Sequence, residues 1–135
     1  MDAMMNSTAE RVPNVMVVED EALLVILYED AIRSAGANSI TAYSLDEGLE
    51  AIHDSIDVAI LDIRLGEQKV FPIAYRLLEI GVPFLFCSGT VEDMPKGAFS
   101  DVPLVNKPAK AEAVVSKALS LIKKVAGLRT VKPTQ

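Results

Sequence analysis

The feature that most constrains this chain is a rhythm. Five short apolar runs rich in β-branched residues alternate with longer stretches whose apolar residues recur at helical spacing. Residues 14–18 form the first run and stop abruptly at Glu19-Asp20-Glu21. Residues 39–43, 56–61, 82–87 and 103–105 repeat the pattern. Runs this short and this apolar read as strands buried on both faces. Between them, Leu23, Leu24, Leu27, Ala31 and Ile32 mark the core face of a helix over 21–35, stopped at Gly36. Ser44 with Glu47 three residues on has the form of a capping box, and a helix follows to about residue 53. A third helix is expected over 70–80, ending at Gly81, and a last one over 109–126, with Val114, Val115, Ala118, Leu121, Ile122 and Val125 on one face. Residues 64–69 read as a polar loop pivoting on Gly66. Pro95 and Gly97 limit residues 90–101 to a short helix at most.

Strand and helix in strict alternation imply a parallel sheet with helices on both faces and right-handed crossovers. Five such units in a small α/β domain favour the flavodoxin-like strand order 2-1-3-4-5. The 135 residues suffice for one domain, and half of them are apolar, which points away from a disordered chain. We expect a flexible arm at 1–12, one domain over 13–126 and a tail at 127–135, with no linker to a second domain. A net charge of −6 with no dense basic cluster argues against nucleic-acid binding. One cysteine precludes an internal disulfide and suits a reducing compartment. Without a secretory signal or an apolar run long enough to span a bilayer, the expectation is a cytoplasmic protein with no membrane insertion.

Open α/β sheets gather functional groups at the carboxyl ends of their strands. Those ends carry Glu19 and Asp20, then Asp62, then Ser88, then Lys107. Clustered carboxylates call for a hard cation, and an incomplete oxygen cage suits Mg2+. Such an ion can orient a phosphoryl group while a free carboxylate oxygen attacks phosphorus. A lysine and a hydroxyl are the donors the remaining phosphoryl oxygens need. Each residue also has an ordinary reading. Asp62 alone is as readily a helix cap, Glu21 is a dipole-favourable helix start, Ser88 before Gly89 suits a turn, and most lysines are surface groups. His53, the only histidine, reads as a helix-end or surface residue, and Cys87 as a small core residue. The ordered set is what favours chemistry at Asp62.

The set Val17-Val18-Glu19-Asp20-Glu21, Leu61-Asp62-Ile63, Ser88-Gly89 and Lys107-Pro108 resembles the receiver domains of CheY-like response regulators, over roughly residues 13–126. Phe86-Cys87-Ser88-Gly89 and the residues around it are further similar to the alphaproteobacterial FATGUY subgroup of single-domain response regulators. The resemblance implies that Asp62 is the phosphoacceptor and that Glu19, Asp20, Asp62 and the backbone carbonyl of Arg64 hold Mg2+. It implies that Ser88 and Lys107 bind the phosphoryl group and that the Lys107-Pro108 bond is cis. It also implies a sensor histidine kinase or histidine phosphotransfer protein as donor. One departure stands out. The family's aromatic switch position, three residues before the lysine, holds Leu104.

The function implied is that of a single-domain regulator in a two-component phosphorelay, not an enzyme beyond its own Mg-dependent phosphorylation and slow dephosphorylation. It would signal by protein contacts or serve as a phosphate sink. The alternative is a phosphorylation-independent interaction module of the same fold. A phosphate-ester hydrolase of the haloacid-dehalogenase type would need an Asp where Arg64 stands, and ranks last.

Overall fold

The computed structural model describes residues 11–93 and 95–131, and the side chains of Val91 and of residues 123–131 lie outside that description. The backbone alternates as the sequence rhythm requires. Strands β1 (Asn14–Val18), β2 (Asn38–Ala42), β3 (Val58–Asp62), β4 (Phe84–Ser88) and β5 (Leu104–Asn106) are joined by helices α1 (Ala22–Ser34), α2 (Leu45–Ala51) and α3 (Phe71–Ile80), with α4 (Ala111–Val131) closing the chain. The five strands form one parallel sheet in the order β2-β1-β3-β4-β5. This is the expected doubly wound arrangement.

Period-two alternation sends successive strand side chains to opposite faces. Met16, Val18, Ala59, Leu61 and Phe86 pack with Ile73, Ala74 and Leu77 of α3. Val15, Val17, Val58, Ile60, Leu85 and Cys87 pack with Tyr28 and Ile32 of α1 and Val114, Val115 and Ala118 of α4. The central strands β3 and β4 are therefore buried along their whole length. Gly48 lets α2 approach α3, because a Cβ there would lie 2.4 Å from Ile73 Cδ1. The α3 terminus closes at Gly81 (φ +77°), with Val82 N–H donating to Leu77 O at 3.0 Å and Gly81 N–H to Leu78 O at 3.2 Å.

Several local expectations need correction. The inward face of α1 is only partly the expected one, with Leu24, Ala31 and Ile32 on it and Leu23 and Leu27 off it. Val25, Tyr28, Ala31 and Ile32 are buried, whereas Leu23 is 64 % and Leu27 47 % exposed. Helical spacing cannot choose between two apolar stripes when a helix such as α1 carries both. Ser44 Oγ caps α2 by accepting from Glu47 N–H at 3.1 Å, but the Glu47 carboxylate accepts from Tyr43 N–H at 2.7 Å and not from the cap residue itself. The 64–69 loop is a tight antiparallel hairpin, Arg64–Leu65 against Gln68–Lys69, turning at Gly66 with φ +63°. Residues 90–101 agree with the expectation of a short helix at most, holding among those described only 3-10 turns at Val91–Asp93 and Gly97–Phe99. Helix α4 continues to Val131, through the first residues of the expected tail. Val125 of its predicted apolar face, residues 1–10 of the expected arm and residues 132–135 lie outside the described structure. Arg11 is tied down, its guanidinium paired with Asp57 at 2.6 Å.

Candidate functional site

The carboxyl ends of β1, β3, β4 and β5 bring the expected residues to one edge of the sheet. Glu19 follows β1 and is 2 % exposed, and its N–H continues the sheet by donating to Ala42 O at 3.1 Å. Asp62 ends β3 and is also buried. Asp20 is exposed, and its Oδ2 accepts from Gly66 N–H at 2.8 Å across the hairpin turn. One carboxylate oxygen from each of Glu19, Asp20 and Asp62 lies within 4.8 Å of the others. Lys107 enters from β5, positioned by its own N–H donating to Ser88 O at 2.8 Å. Its Nζ sits 3.2 Å from Glu19 Oε1 and 3.3 Å from Asp62 Oδ2, so one cation spans two carboxylates. The Lys107-Pro108 bond is cis.

Two buried carboxylates and an acidic neighbour leave a surplus of negative charge that one lysine does not balance. Burial raises the Glu19 carboxyl to about 7, the charge on Asp62 adds to the rise, and Lys107 opposes it. Burial likewise raises Asp62, with Lys107 opposing. For Lys107, burial pulls downward, but Asp62 and Glu19 more than offset it and hold the ammonium above its ordinary value. Oxygen donors at this spacing, with protonation favoured for want of positive charge, fit a hard divalent cation.

Ser88 lies at the end of β4 and is buried, and its hydroxyl bonds to the chain that follows β4 rather than to Asp62. It donates to Thr90 O at 2.9 Å and lies 3.4 Å from Asp93 Oδ2, while Thr90 N–H donates back to it at 3.2 Å. Asp62, Ser88 and Lys107 nonetheless line one open cleft of about 470 Å3 with Arg64 and Asp93. Arg64 is present there through its side chain, whose Nε donates to Asp93 Oδ2 at 2.7 Å. Asp93 is the site residue that sequence reasoning missed. It is buried and held below the ordinary carboxylate range, first by the Arg64 hydrogen bond and then by Lys69, against the effect of burial. Its cations stand 29 and 24 positions earlier, and no local spacing pairs them.

His53 is exposed, accepting from Ser55 N–H at 3.3 Å, and takes no part in the site. Cys87 is core, its thiol pushed up to about 11 by burial and lying 3.8 Å from Tyr28 Oη. Leu104 pairs in register with Phe86 and packs on the α3 side of the sheet.

This fold and this acidic edge define a class, the receiver domain of response regulators. A CheY-like receiver domain from Methanospirillum hungatei JF-1 superimposes with a TM-score of 0.72 over 84 % of this chain and 95 % of its own, at 16 % identity. A response regulator receiver protein from Sinorhizobium medicae WSM419 gives a TM-score of 0.75 over 84 % and 96 %, at 20 % identity. SdrG from Sphingomonas melonis Fr1 is 31 % identical over 82 % of this chain and 96 % of its own, with a TM-score of 0.69. The relation to SdrG goes beyond a shared fold, and the chain belongs to the response-regulator receiver family. No protein-family model and no curated protein matches the sequence. The receiver fold supports a role in two-component signalling. Among the described residues, no helix is long and apolar enough to cross a membrane.

Proposed function

We propose that residues 13–126 form a phosphorylatable receiver of a two-component phosphorelay, with Asp62 as the phosphoacceptor. The observation that carries this reading is the Lys107 ammonium bridging Glu19 and Asp62 at 3.2 and 3.3 Å beside the three-carboxylate cluster. An Asp62 oxygen attacks the phosphorus of a phosphohistidine on a histidine kinase or phosphotransfer protein. The P–N bond breaks, and its electron pair returns to the imidazole as the acyl phosphate forms. Lys107, already held at Asp62, neutralises the incoming phosphoryl oxygens, and the Ser88 hydroxyl turns from Thr90 to donate to one of them. Glu19, Asp20 and Asp62, with the Arg64 backbone carbonyl, would hold Mg2+, which supplies charge neutralisation and orientation at the phosphoryl group.

Output follows as a phosphorylation-dependent protein contact, and a cytoplasmic location fits a kinase-coupled relay. The Phe86-Cys87-Ser88-Gly89 run supports placement near the FATGUY subgroup. Incubation with acetyl phosphate and Mg2+ tests the reading by intact mass. The expected result is a mass gain of about 80 Da, one phosphoryl group, that is absent from Asp62→Asn. No gain in the native protein would favour the phosphorylation-independent interaction module instead.

A further inference from the structure

Phosphoryl transfer to Asp62 leaves one buried carboxylate in the cleft without a role. Asp93 ends the 3-10 turn Val91–Asp93, with its side chain only 1 % exposed. Its Oδ2 accepts from Arg64 Nε at 2.7 Å, and its Oδ1 faces Lys69 Nζ at 3.2 Å. That second contact is an ion pair without hydrogen-bond alignment, since Oδ1 is buried and accepts no hydrogen bond. Arg64 and Lys69 are cross-strand partners in the hairpin that directly follows Asp62, so the hairpin presents a matched pair of cations. Asp93 fills that pair with negative charge supplied by the chain itself. The same carboxylate accepts from the Ser88 hydroxyl at 3.4 Å.

These contacts tie three pieces of chain together: the hairpin after β3, the end of β4, and the turn over residues 90–93. A phosphoryl group on Asp62 introduces a second, doubly charged anion into the cleft that Arg64, Ser88 and Asp93 already line. It competes with Asp93 for the same donors and repels its carboxylate. Building on Asp62 as phosphoacceptor, we propose that Asp93 is an inhibitory positioning residue, an internal anion that occupies Arg64 and Lys69, engages the Ser88 hydroxyl, and is displaced when Asp62 is phosphorylated. Displacement frees the turn over residues 90–93 from the hairpin, so charge at Asp62 is transmitted to the segment between β4 and β5 without an aromatic ring at Leu104.

Asp93→Asn keeps the shape and removes the competing charge. With acetyl phosphate and Mg2+, its rate of labelling at Asp62 is expected to exceed that of the native protein by about fivefold, the scale of a partly solvent-screened ion pair. Before any phosphoryl group is added, its amide signals over residues 88–93 should move toward the positions they take in the native protein with beryllofluoride and Mg2+. A purely structural Asp93 predicts the opposite, with labelling unchanged or slower. Lys69→Gln loosens one arm of the clamp, leaves Asp93 paired to Arg64, and should accelerate labelling by about twofold, so it carries the test if Asp93→Asn does not fold. Labelling of the native protein without acceleration in the variants overturns the role of Asp93 alone. No labelling of any of the proteins overturns Asp62 as phosphoacceptor and the displacement with it.

Discussion

Metal-free protein should lose stability as pH rises from 4.5 to 7, and Glu19 is the main reason. Its carboxyl is 2 % exposed and is raised from 4.5 to about 7 by burial first and by Asp62 second. Below 4.5 it is protonated in both the folded and the unfolded chain. Between 4.5 and 7 the unfolded chain gives up the proton while the folded chain keeps it, so the folded state binds more protons and stability falls with rising pH. At about 1.4 kcal/mol per unit, the loss is about 3 kcal/mol and is complete just above 7. Asp62, raised by the same burial, adds to the slope in the same direction. Urea unfolding in the presence of a chelator, followed across this pH range, measures the effect. Glu19→Gln should flatten most of the dependence whatever it does to absolute stability, because it removes the titrating group. Mg2+ should restore stability to the native protein at the alkaline end, where it meets charged ligands, and do much less for the variant. A metal-free stability that is flat or rises over this range, or a slope unchanged in Glu19→Gln, would refute the reasoning.

Two substitutions test the framework that holds the site. Phe99 anchors the segment after β4 by stacking on Phe71 at 5.6 Å and meeting Phe86 edge-on at 5.6 Å, so Phe99→Ala should cost about 3–5 kcal/mol in urea unfolding. Ser44→Ala removes the acceptor for Glu47 N–H at the start of α2 and should cost about 1 kcal/mol by the same measurement.

The half-buried cap at Ser44 and the buried anchor at Phe99 also mark the line between what could be read from sequence and what could not. Ser44 and Glu47 are three residues apart, so their hydrogen bond leaves a local signature. The same holds for Gly81 closing α3 and for the apolar strands ending at Glu19, Asp62, Ser88 and Lys107. Their alternation dictated the parallel sheet, and that sheet gathers its strand ends at one edge, which made the site visible in outline. Phe99, by contrast, lies in a stretch without helical periodicity, and its partners come from α3 and β4.

The sequence by itself therefore determined the fold class and the five residues at the sheet edge. Only the tertiary structure decided how they meet: that Lys107 reaches Glu19 across 88 positions, that the Ser88 hydroxyl bonds to Thr90 and Asp93, and that α1 turns Val25 and Tyr28 inward and Leu23 outward. It alone placed Asp93 between Arg64 and Lys69. The physical reason is common to all of these. Backbone propensity and side-chain periodicity act over a few residues and can be read along the chain. Charge pairing and the choice of a buried face depend on which atoms the packed sheet brings within a few ångströms, whatever their separation in sequence.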